Sequence, residues 1–154
     1  DRSFGSVVDD ATIKINIAAK FINSDDNIFV DVSTSVLEGR VLLTGLVENQ
    51  EIRIDAVRRV WEVEGVKEVV NEIQIGNRES LKEYAQDVWI TTQVKGLAAK
   101  TIGLRSMAYN FETIQGKIYI VGITSRPEQL EEIIEMAKTV KGVTEIVNYV
   151  IIKE

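Results

Sequence analysis

EGRVLLTGLV (38–47) and QGKIYIVGIT (115–124) are two versions of one pattern, in which a glycine-containing turn leads into alternating apolar residues. A turn of this kind between two runs of period-2 alternation predicts a β-hairpin. The runs before the two turns are IFVDVSTSV (28–36) and SMAYNFETI (106–114), and each supplies the first strand of its hairpin. The sequence therefore predicts two hairpins separated by 77 residues.

The same shift of 77 residues aligns nearly the whole chain with itself without a gap. For example, VEGVKEVVNEIQI (63–75) falls on VKGVTEIVNYVII (140–152). The identical pairs are Asp10/Asp87, Ile13/Ile90, Gly39/Gly116, Gly45/Gly122, Glu51/Glu128, Val63/Val140, Gly65/Gly142, Val66/Val143, Glu68/Glu145, Val70/Val147 and Asn71/Asn148. Two ungapped copies indicate two similar domains, because a solenoid needs three or more repeats.

We place the two domains at residues 9–76 and 77–154. The boundary falls in the polar stretch GNRESLKE (76–83), which opens with a glycine. Within this stretch, Ser80 and Glu83 have the spacing of a helix capping box, so a helix is expected to begin there.

Each domain has the same predicted order of elements. The first helices are expected at 9–22 and 80–99, the second helices at 49–63 and 126–140, and the last strands at 66–75 and 143–152. The order is thus αββαβ, and the crossover from the second to the third strand should be right-handed. We therefore predict an α+β fold of two repeated domains, each a three-stranded mixed sheet packed by two helices.

Composition excludes several classes of function. Cysteine and histidine are both absent, which removes thiol chemistry, disulfides, Cys/His zinc sites and histidine-based triads. The sequence contains no P-loop, G-x-S-x-G or G-x-G-x-x-G motif. The net charge of −6 argues against nucleic-acid binding, which needs a basic surface. We expect no enzymatic activity, no metal and no cofactor.

A tryptophan at position 89 is the feature most suggestive of function. Helix residues advance by about 100° each, and Ile90, Val94, Leu97, Ala98 and Thr101 share one face, which predicts a core. Trp89 falls roughly 125° from the centre of that face, so it should lie at the edge or outside. Gln93, Gly96 and Lys100 fall on its flank, where the first copy has Thr12, Asn16, Ala19 and Asn23.

Charge sets the same region apart. The excess of acidic residues belongs to residues 1–76, with 14 Asp and Glu against 8 Lys and Arg. From Val88 to Phe111 there is no acidic residue, and the basic residues are Lys95, Lys100 and Arg105. An exposed indole beside cations suits the boundary between lipid and water. The alternatives are that Trp89 covers the seam between the domains or contacts another partner.

A second tryptophan, Trp61, adjoins the apolar stripe of the helix at 49–63. Ala56, Val57 and Val60 belong to that stripe, so Trp61 is expected at the edge of the core or at a domain interface.

The chain resembles a pair of BON domains in its recurring motifs. The hairpin motif G-[RK]-[VI]-x-[LI]-x-G occurs as GRVLLTG (39–45) and GKIYIVG (116–122). The motif V-x-G-V-x-x-[VI]-x-N occurs at 63–71 and 140–148, and D-x-x-I begins the first helix of both copies. The tandem arrangement is similar to the division- and outer-membrane-stress-associated lipid-binding lipoproteins of Gram-negative bacteria.

That resemblance implies a periplasmic protein that supports envelope integrity and is anchored to the outer membrane through a lipidated cysteine. We expect the present sequence to be a mature fragment without that cysteine. The resemblance also implies that the second domain contacts anionic phospholipid, and we assign Trp89, Gln93, Lys95, Gly96, Lys100 and Arg105 to the contact. The alternatives are a scaffold that binds an envelope protein partner, or a soluble, stress-induced, chaperone-like periplasmic protein.

Overall fold

The computed structural model describes residues 8–24, 26–77 and 81–154, so the predicted capping residue Ser80 lies outside the described residues. The chain divides into two compact units, Asp1–Asn77 and Arg78–Glu154, here called unit 1 and unit 2. The predicted α+β class with two repeats is confirmed. The choice of residue 76 as the end of the first domain remains a prediction.

Unit 1 contains helices α1 (Asp10–Ile22), α2 (Ile28–Asp31) and α3 (Gln50–Trp61), and strands β1 (Val32–Leu37), β2 (Arg40–Val47) and β3 (Glu68–Ile75). The strand order is β1-β2-β3. The pair β1–β2 is an antiparallel hairpin, and β2–β3 is parallel, so α3 is the crossover between them. This is the predicted mixed sheet.

Unit 2 repeats the arrangement with helices α4 (Leu81–Ile102) and α5 (Pro127–Lys138), a 3₁₀ helix (Gly103–Ala108), and strands β4 (Tyr109–Ile114), β5 (Lys117–Thr124) and β6 (Glu145–Ile152). The strand order is β4-β5-β6, with β4–β5 antiparallel and β5–β6 parallel. Pro127 occupies the first turn of α5, where its missing N–H costs nothing.

The hairpin turns are two residues long and have positive φ at both positions. In unit 1, φ is 53° at Glu38 and 80° at Gly39; in unit 2 it is 52° at Gln115 and 81° at Gly116. Two central residues with positive φ give a turn whose twist matches that of the flanking strands. Glycine adopts this conformation without strain, which explains why the second turn position is glycine in both copies.

An aspartate at the start of the first helix holds each turn. The Asp10 carboxylate accepts hydrogen bonds from the backbone N–H groups of Glu38 (2.7 Å) and Gly39 (2.9 Å). Asp87 accepts from the two equivalent turn amides at 2.9 and 3.0 Å, and its side chain is buried. The first residue of the D-x-x-I motif therefore joins helix to hairpin across 28 residues of sequence. Sequence reasoning identified it only as a helix start.

The residue that caps α1 is the preceding one, Asp9. Its carboxylate accepts from the N–H of Thr12 at 2.8 Å, as expected of an N-cap. This hydrogen bond lowers the pKa of the Asp9 carboxyl.

The predicted first strands began too early in both copies. Residues 28–31 form α2, and residues 106–108 belong to the 3₁₀ helix. The reason lies on the neighbouring strand, because the chain passes closely over Gly45 in unit 1 and Gly122 in unit 2. A Cβ at Gly45 would collide with the carbonyl oxygen of Asp31, and one at Gly122 with that of Ala108. Pairing can start only after this crossing.

Each unit has a core between its helices and one face of its sheet. The unit 1 core contains Ile13, Ile17, Phe21, Ile28, Val41, Leu43, Ala56, Val60 and Ile73. The unit 2 core contains Ile90, Val94, Ala98, Phe111, Ile118, Ile120, Leu130, Ile133 and Ala137. One predicted core residue is wrong: Thr101 is exposed, because it lies in the last turn of α4, past the buried stripe that ends at Ala98.

An arginine ties α3 to α1 in unit 1. Arg59 donates from Nη1 to the carbonyl of Lys20 at 3.0 Å and from Nε to Asp55 at 2.8 Å. Asp55 also pairs with Arg58. Partial burial raises the pKa of the Asp55 carboxyl, but the hydrogen bonds and charges of Arg59 and Arg58 outweigh burial and lower it.

Candidate functional site

Helix α4 differs from its counterpart α1 in length. It has 22 residues against 13, and it begins six residues before Asp87, whereas α1 begins at the equivalent Asp10. It also continues to Ile102, beyond the predicted end at residue 99. The added turns enlarge the surface that the helix presents outside its core stripe.

Trp89 lies on that outer surface, with its residue 44% exposed. The adjacent Val88 is also about half exposed, while Ile90 is fully buried. With about 100° per residue, Val88 and Ala99 fall opposite Ile90, and Trp89 lies beside them. The prediction that Trp89 lies outside the core is confirmed.

Two lysines border this apolar surface. Helical spacing puts Lys100 next to Trp89 and Lys95 on the other side of Val88 and Ala99, and both lysines are exposed. Gly96 lies between them on the outside of the helix, with no atom within 4 Å of the place where a Cβ would stand. We call the surface formed by Val88, Trp89, Lys95, Gly96, Ala99 and Lys100 the outer face of α4.

The remaining two predicted site residues lie at its margins. Gln93 is exposed on the side of Trp89 nearer the core. Arg105 is exposed but belongs to the 3₁₀ helix, so the structure places it on a separate element that follows α4. Met107, on the same 3₁₀ helix, is almost fully exposed.

The cations of this region are not neutralised by the residues that the structure describes. Within that part of the chain, Lys95, Lys100 and Arg105 form no ion pair, since the segment from Val88 to Phe111 lacks carboxylates. Unit 1 is different: Lys20 pairs with Glu62 at 3.3 Å and Arg40 with Glu68 at 2.6 Å.

A threonine on the outer face satisfies its own hydroxyl. Thr92 donates from Oγ1 to the carbonyl of Val88 at 2.9 Å, one turn back along the helix. A hydroxyl bonded to its own helix brings no unmet donor into an apolar environment. The outer face therefore has little polar character between its two lysines.

Sequence reasoning missed the apolar residues beside Trp89. Val88 and Ala99 are 11 residues apart, which returns to the same side of a helix after three turns, with Thr92 and Lys95 between them. This spacing was available in the sequence, but attention to the core stripe obscured it. Trp61, predicted at a core edge or interface, is 51% exposed on α3.

Unit 2 also has a cleft of about 410 Å³, lined by Glu83, Gln86, Asp87, Gln115, Gly116 and Gly142. The Asp87 carboxylate at its base is already bonded to the two turn amides. Among the described residues, no group of three or more Asp and Glu side chains is arranged to hold a metal ion. None of the described helices is both long enough and apolar enough to cross a membrane.

Fold and surface together define a class: a protein of two helix-covered, three-stranded mixed sheets that presents an exposed, cationic helical face in its second unit. The model of the BON domain family matches residues 9–77 and 86–154. The chain belongs to the BON domain family.

Three relatives span most of the chain. An uncharacterised protein of Anaplasma centrale, described by its position in the gshII 5′ region, is 39% identical over 147 residues, which cover 95% of this chain and 96% of that protein. The outer membrane lipoprotein DolP of Haemophilus influenzae is 26% identical, covering 95% and 76%. The osmotically-inducible protein Y of Escherichia coli is 27% identical, covering 94% and 73%. None of these three descriptions names an enzyme.

Proposed function

We propose that this chain is a non-enzymatic periplasmic protein that maintains the cell envelope and binds anionic phospholipid through the outer face of α4. The observation that carries the proposal is an exposed tryptophan bordered by lysines without carboxylate partners in the described part of the chain. Relatedness to an outer membrane lipoprotein and to an osmotically inducible protein supports the envelope and stress setting. Anchoring through a lipidated cysteine outside the present sequence belongs to the same proposal.

The chemistry of the outer face matches a membrane interface. The indole of Trp89 has an apolar body and one N–H donor, so it is stable at headgroup depth. Val88 and Ala99 add apolar surface beside it, while Lys95 and Lys100 remain in the headgroup layer on either side. Each lysine contributes about 1 kcal/mol of attraction to an anionic surface.

The expected binding is weak and depends on salt. One helix face with one tryptophan buries a small apolar area, and the attraction of exposed lysines is screened within a Debye length of about 8 Å at physiological ionic strength. Gly96 leaves open space on the helix surface in which a headgroup fits. Gln93 and Arg105 lie at the margins and contribute secondary polar contacts to headgroups.

The direct test is flotation with vesicles of phosphatidylglycerol mixed with phosphatidylcholine, against vesicles of phosphatidylcholine alone. Wild-type protein should float with the anionic vesicles only, and Trp89→Ala should stay at the bottom of the gradient. Trp61→Ala is the matched control, because Trp61 is a similarly exposed tryptophan on unit 1. Equal flotation of wild type and Trp89→Ala, or loss of flotation in both tryptophan variants, would remove the proposal.

A protein-binding role is the second candidate, and an observation in unit 1 favours it. The side of α1 opposite its core carries Ile15, 68% exposed, and Ile22, also exposed. Phe29 and Val30 on α2 are likewise exposed, Val30 to 79%. Exposed apolar surface of this kind is typical of protein-interaction sites.

This candidate covers both the scaffold and the chaperone-like alternative. It predicts that the protein suppresses aggregation of an unfolded client in the absence of lipid, and that Ile15→Ser with Val30→Ser weakens the suppression while vesicle binding is unchanged. No suppression by wild-type protein at equimolar client would remove the chaperone-like alternative.

A further inference from the structure

The outer edge of each sheet is closed by side chains of the same chain. β3 and β6 are edge strands, each paired on one side only with the central strand of its sheet. An edge strand presents backbone N–H and C=O groups that can pair with a strand from another molecule. How these groups are satisfied decides whether the edge is open to strand addition.

In unit 1, the relevant residue is Ile73. Three residues further on, Gly76 donates its N–H to the carbonyl of Val47 at 2.8 Å, so residue 76 is directed toward β2. Successive residues of a strand point their backbone groups to opposite sides, which directs Ile73 away from β2. Its backbone groups therefore face the outer edge.

Both outward groups of Ile73 are bonded by side chains. The N–H donates to Oδ1 of Asn71 at 3.0 Å, and the carbonyl accepts from Nη1 of Arg53 at 3.1 Å. The Arg53 guanidinium is held in place by Gln50, to which it donates from Nη2 at 2.6 Å. At this position a strand from another molecule finds neither a free donor nor a free acceptor.

In unit 2, the same arrangement is half complete. Lys153 donates to the carbonyl of Thr124 at 2.8 Å, so the alternation directs Val150 outward, and its N–H donates to Oδ1 of Asn148 at 2.9 Å. The residue equivalent to Arg53 is Leu130, which has no donor. Asn148 is therefore the side chain that closes this edge.

We infer that Asn71 and Asn148 keep the outer sheet edges closed to strand addition, and that the edge of β6 pairs with β6 of a second copy when Asn148 is removed. The recurrence of the same side-chain-to-backbone bond at equivalent positions of two diverged copies supports this role. It also gives a physical reason for the asparagine that ends the V-x-G-V-x-x-[VI]-x-N motif. An asparagine oxygen reaches the N–H two residues ahead, which a longer or branched apolar side chain cannot replace.

A second copy is the occupant that the observations favour. Two β6 strands related by a two-fold axis pair antiparallel, and each contributes the same newly freed N–H and the same carbonyl to the other. The exchange is self-complementary and needs no other partner. Unit 1 stays closed in this variant because Asn71 and Arg53 are intact.

The test is the self-association of Asn148→Ala, followed by sedimentation velocity over a range of concentrations. The variant should dimerise about tenfold more tightly than wild type, which corresponds to the gain of one or two net backbone hydrogen bonds. Asn110→Ala is the matched control, because Asn110 is an exposed asparagine on β4, the opposite edge strand of the same sheet. Asn71→Ala should remain monomeric, and Asn71→Ala combined with Arg53→Leu should associate.

A measurement on the unaltered protein keeps the inference testable if a variant fails to fold. The amide protons of Ile73 and Val150 should exchange with solvent at least about tenfold more slowly than unprotected amides, although they face an unpaired sheet edge. Exchange of both at the unprotected rate would overturn the inference. So would a folded Asn148→Ala that stays monomeric, or equal association of Asn148→Ala and Asn110→Ala.

Discussion

Helices α1 and α4 occupy the same place in the two units but differ on the side that faces away from the core. Their inner sides match: Ile13 and Ile17 in α1 correspond to Ile90 and Val94 in α4, and all four are buried. Their outer sides do not match, because Ile15 and Ile22 in α1 are replaced by Thr92 and Ala99, and Trp89 lies where α1 has Thr12. Core spacing preserves the fold, while the outer side is free to acquire a separate role.

Charge differs between the units in the same way. In unit 1, Arg58 pairs with Asp55 and Glu62, and Arg59 pairs with Asp55. These pairs occupy the cations of unit 1 within the fold. The cations along α4 have no carboxylate within their own segment, and their field extends into solvent. The comparison indicates that an attractive surface for anions can arise by loss of acidic neighbours as well as by gain of lysines.

The largest effect is expected where the two units are most alike. Gly45→Ala and Gly122→Ala each introduce a Cβ against a backbone carbonyl that cannot move without breaking the start of β1 or β4. Each substitution should lower the free energy of unfolding of its own unit by more than about 3 kcal/mol.

Chemical denaturation checks this prediction, with Trp61 fluorescence reporting unit 1 and Trp89 fluorescence reporting unit 2. Gly96→Ala is the control, since open space surrounds Gly96 and alanine favours the helix by up to about 1 kcal/mol. A Gly45→Ala protein as stable as wild type would contradict the close crossing.

The next effect comes from the aspartates that hold the hairpin turns. Asp87→Ala removes two charge-assisted hydrogen bonds in a buried setting and should cost unit 2 about 3 kcal/mol. Asp10→Ala removes the same two bonds in a half-buried setting and should cost unit 1 about 1–2 kcal/mol. The same fluorescence-detected denaturation separates the two values. Equal costs in both units would show that burial of Asp87 adds nothing.

The charge difference is tested by replacing lysines on the two helices. Lys95→Gln with Lys100→Gln should weaken binding to phosphatidylglycerol vesicles by about 30-fold, since each lysine contributes about 1 kcal/mol. Lys14→Gln, an exposed lysine on α1, should leave binding unchanged. The affinities are measured by vesicle titration at low salt, and the difference should shrink as salt is added. An equal loss in the α1 variant would mean that net charge, and not the outer face of α4, determines binding.

The smallest effect concerns the ion pairs within unit 1. Arg59 and Arg58 lower the pKa of Asp55, so its stabilising contribution is present above the unfolded value near 3.8 and is lost as pH falls through the lower folded value. Asp55→Asn should therefore reduce the stability of unit 1 by about 0.5–1 kcal/mol at neutral pH. Below about pH 4 the difference from wild type should narrow toward zero. A difference that grows on acidification would contradict the lowered pKa.

Much of the fold followed from local sequence patterns. The period of apolar residues predicted the helices, the glycine-containing turns predicted the hairpins, and the 77-residue repeat predicted the second copy of everything in the first. The short helix at Ile28–Asp31 did not follow, because its cause is Gly45, a residue on another strand. The role of Asp87 was missed for the same reason, since its partners are 28 and 29 residues away.

The candidate site was predictable to the extent that one helix determines it. The exposure of Trp89 followed from its angle to the core stripe, and the positions of Lys95 and Lys100 followed from the same spacing. Arg105 did not belong to that helix, because α4 ends at Ile102 and a 3₁₀ helix begins at Gly103. Where one element ends and the next begins depends on packing that spacing alone does not reveal.

The central claim, that the outer face of α4 enters a lipid interface, is tested most directly by the depth of a single tryptophan. In a Trp61→Phe background, Trp89 is the remaining tryptophan of the chain. With phosphatidylglycerol vesicles its emission should shift to the blue and be quenched by lipids brominated near the headgroup end of the acyl chain. Emission that neither shifts nor is quenched at saturating lipid, while the protein floats with the vesicles, would show that another surface makes the contact.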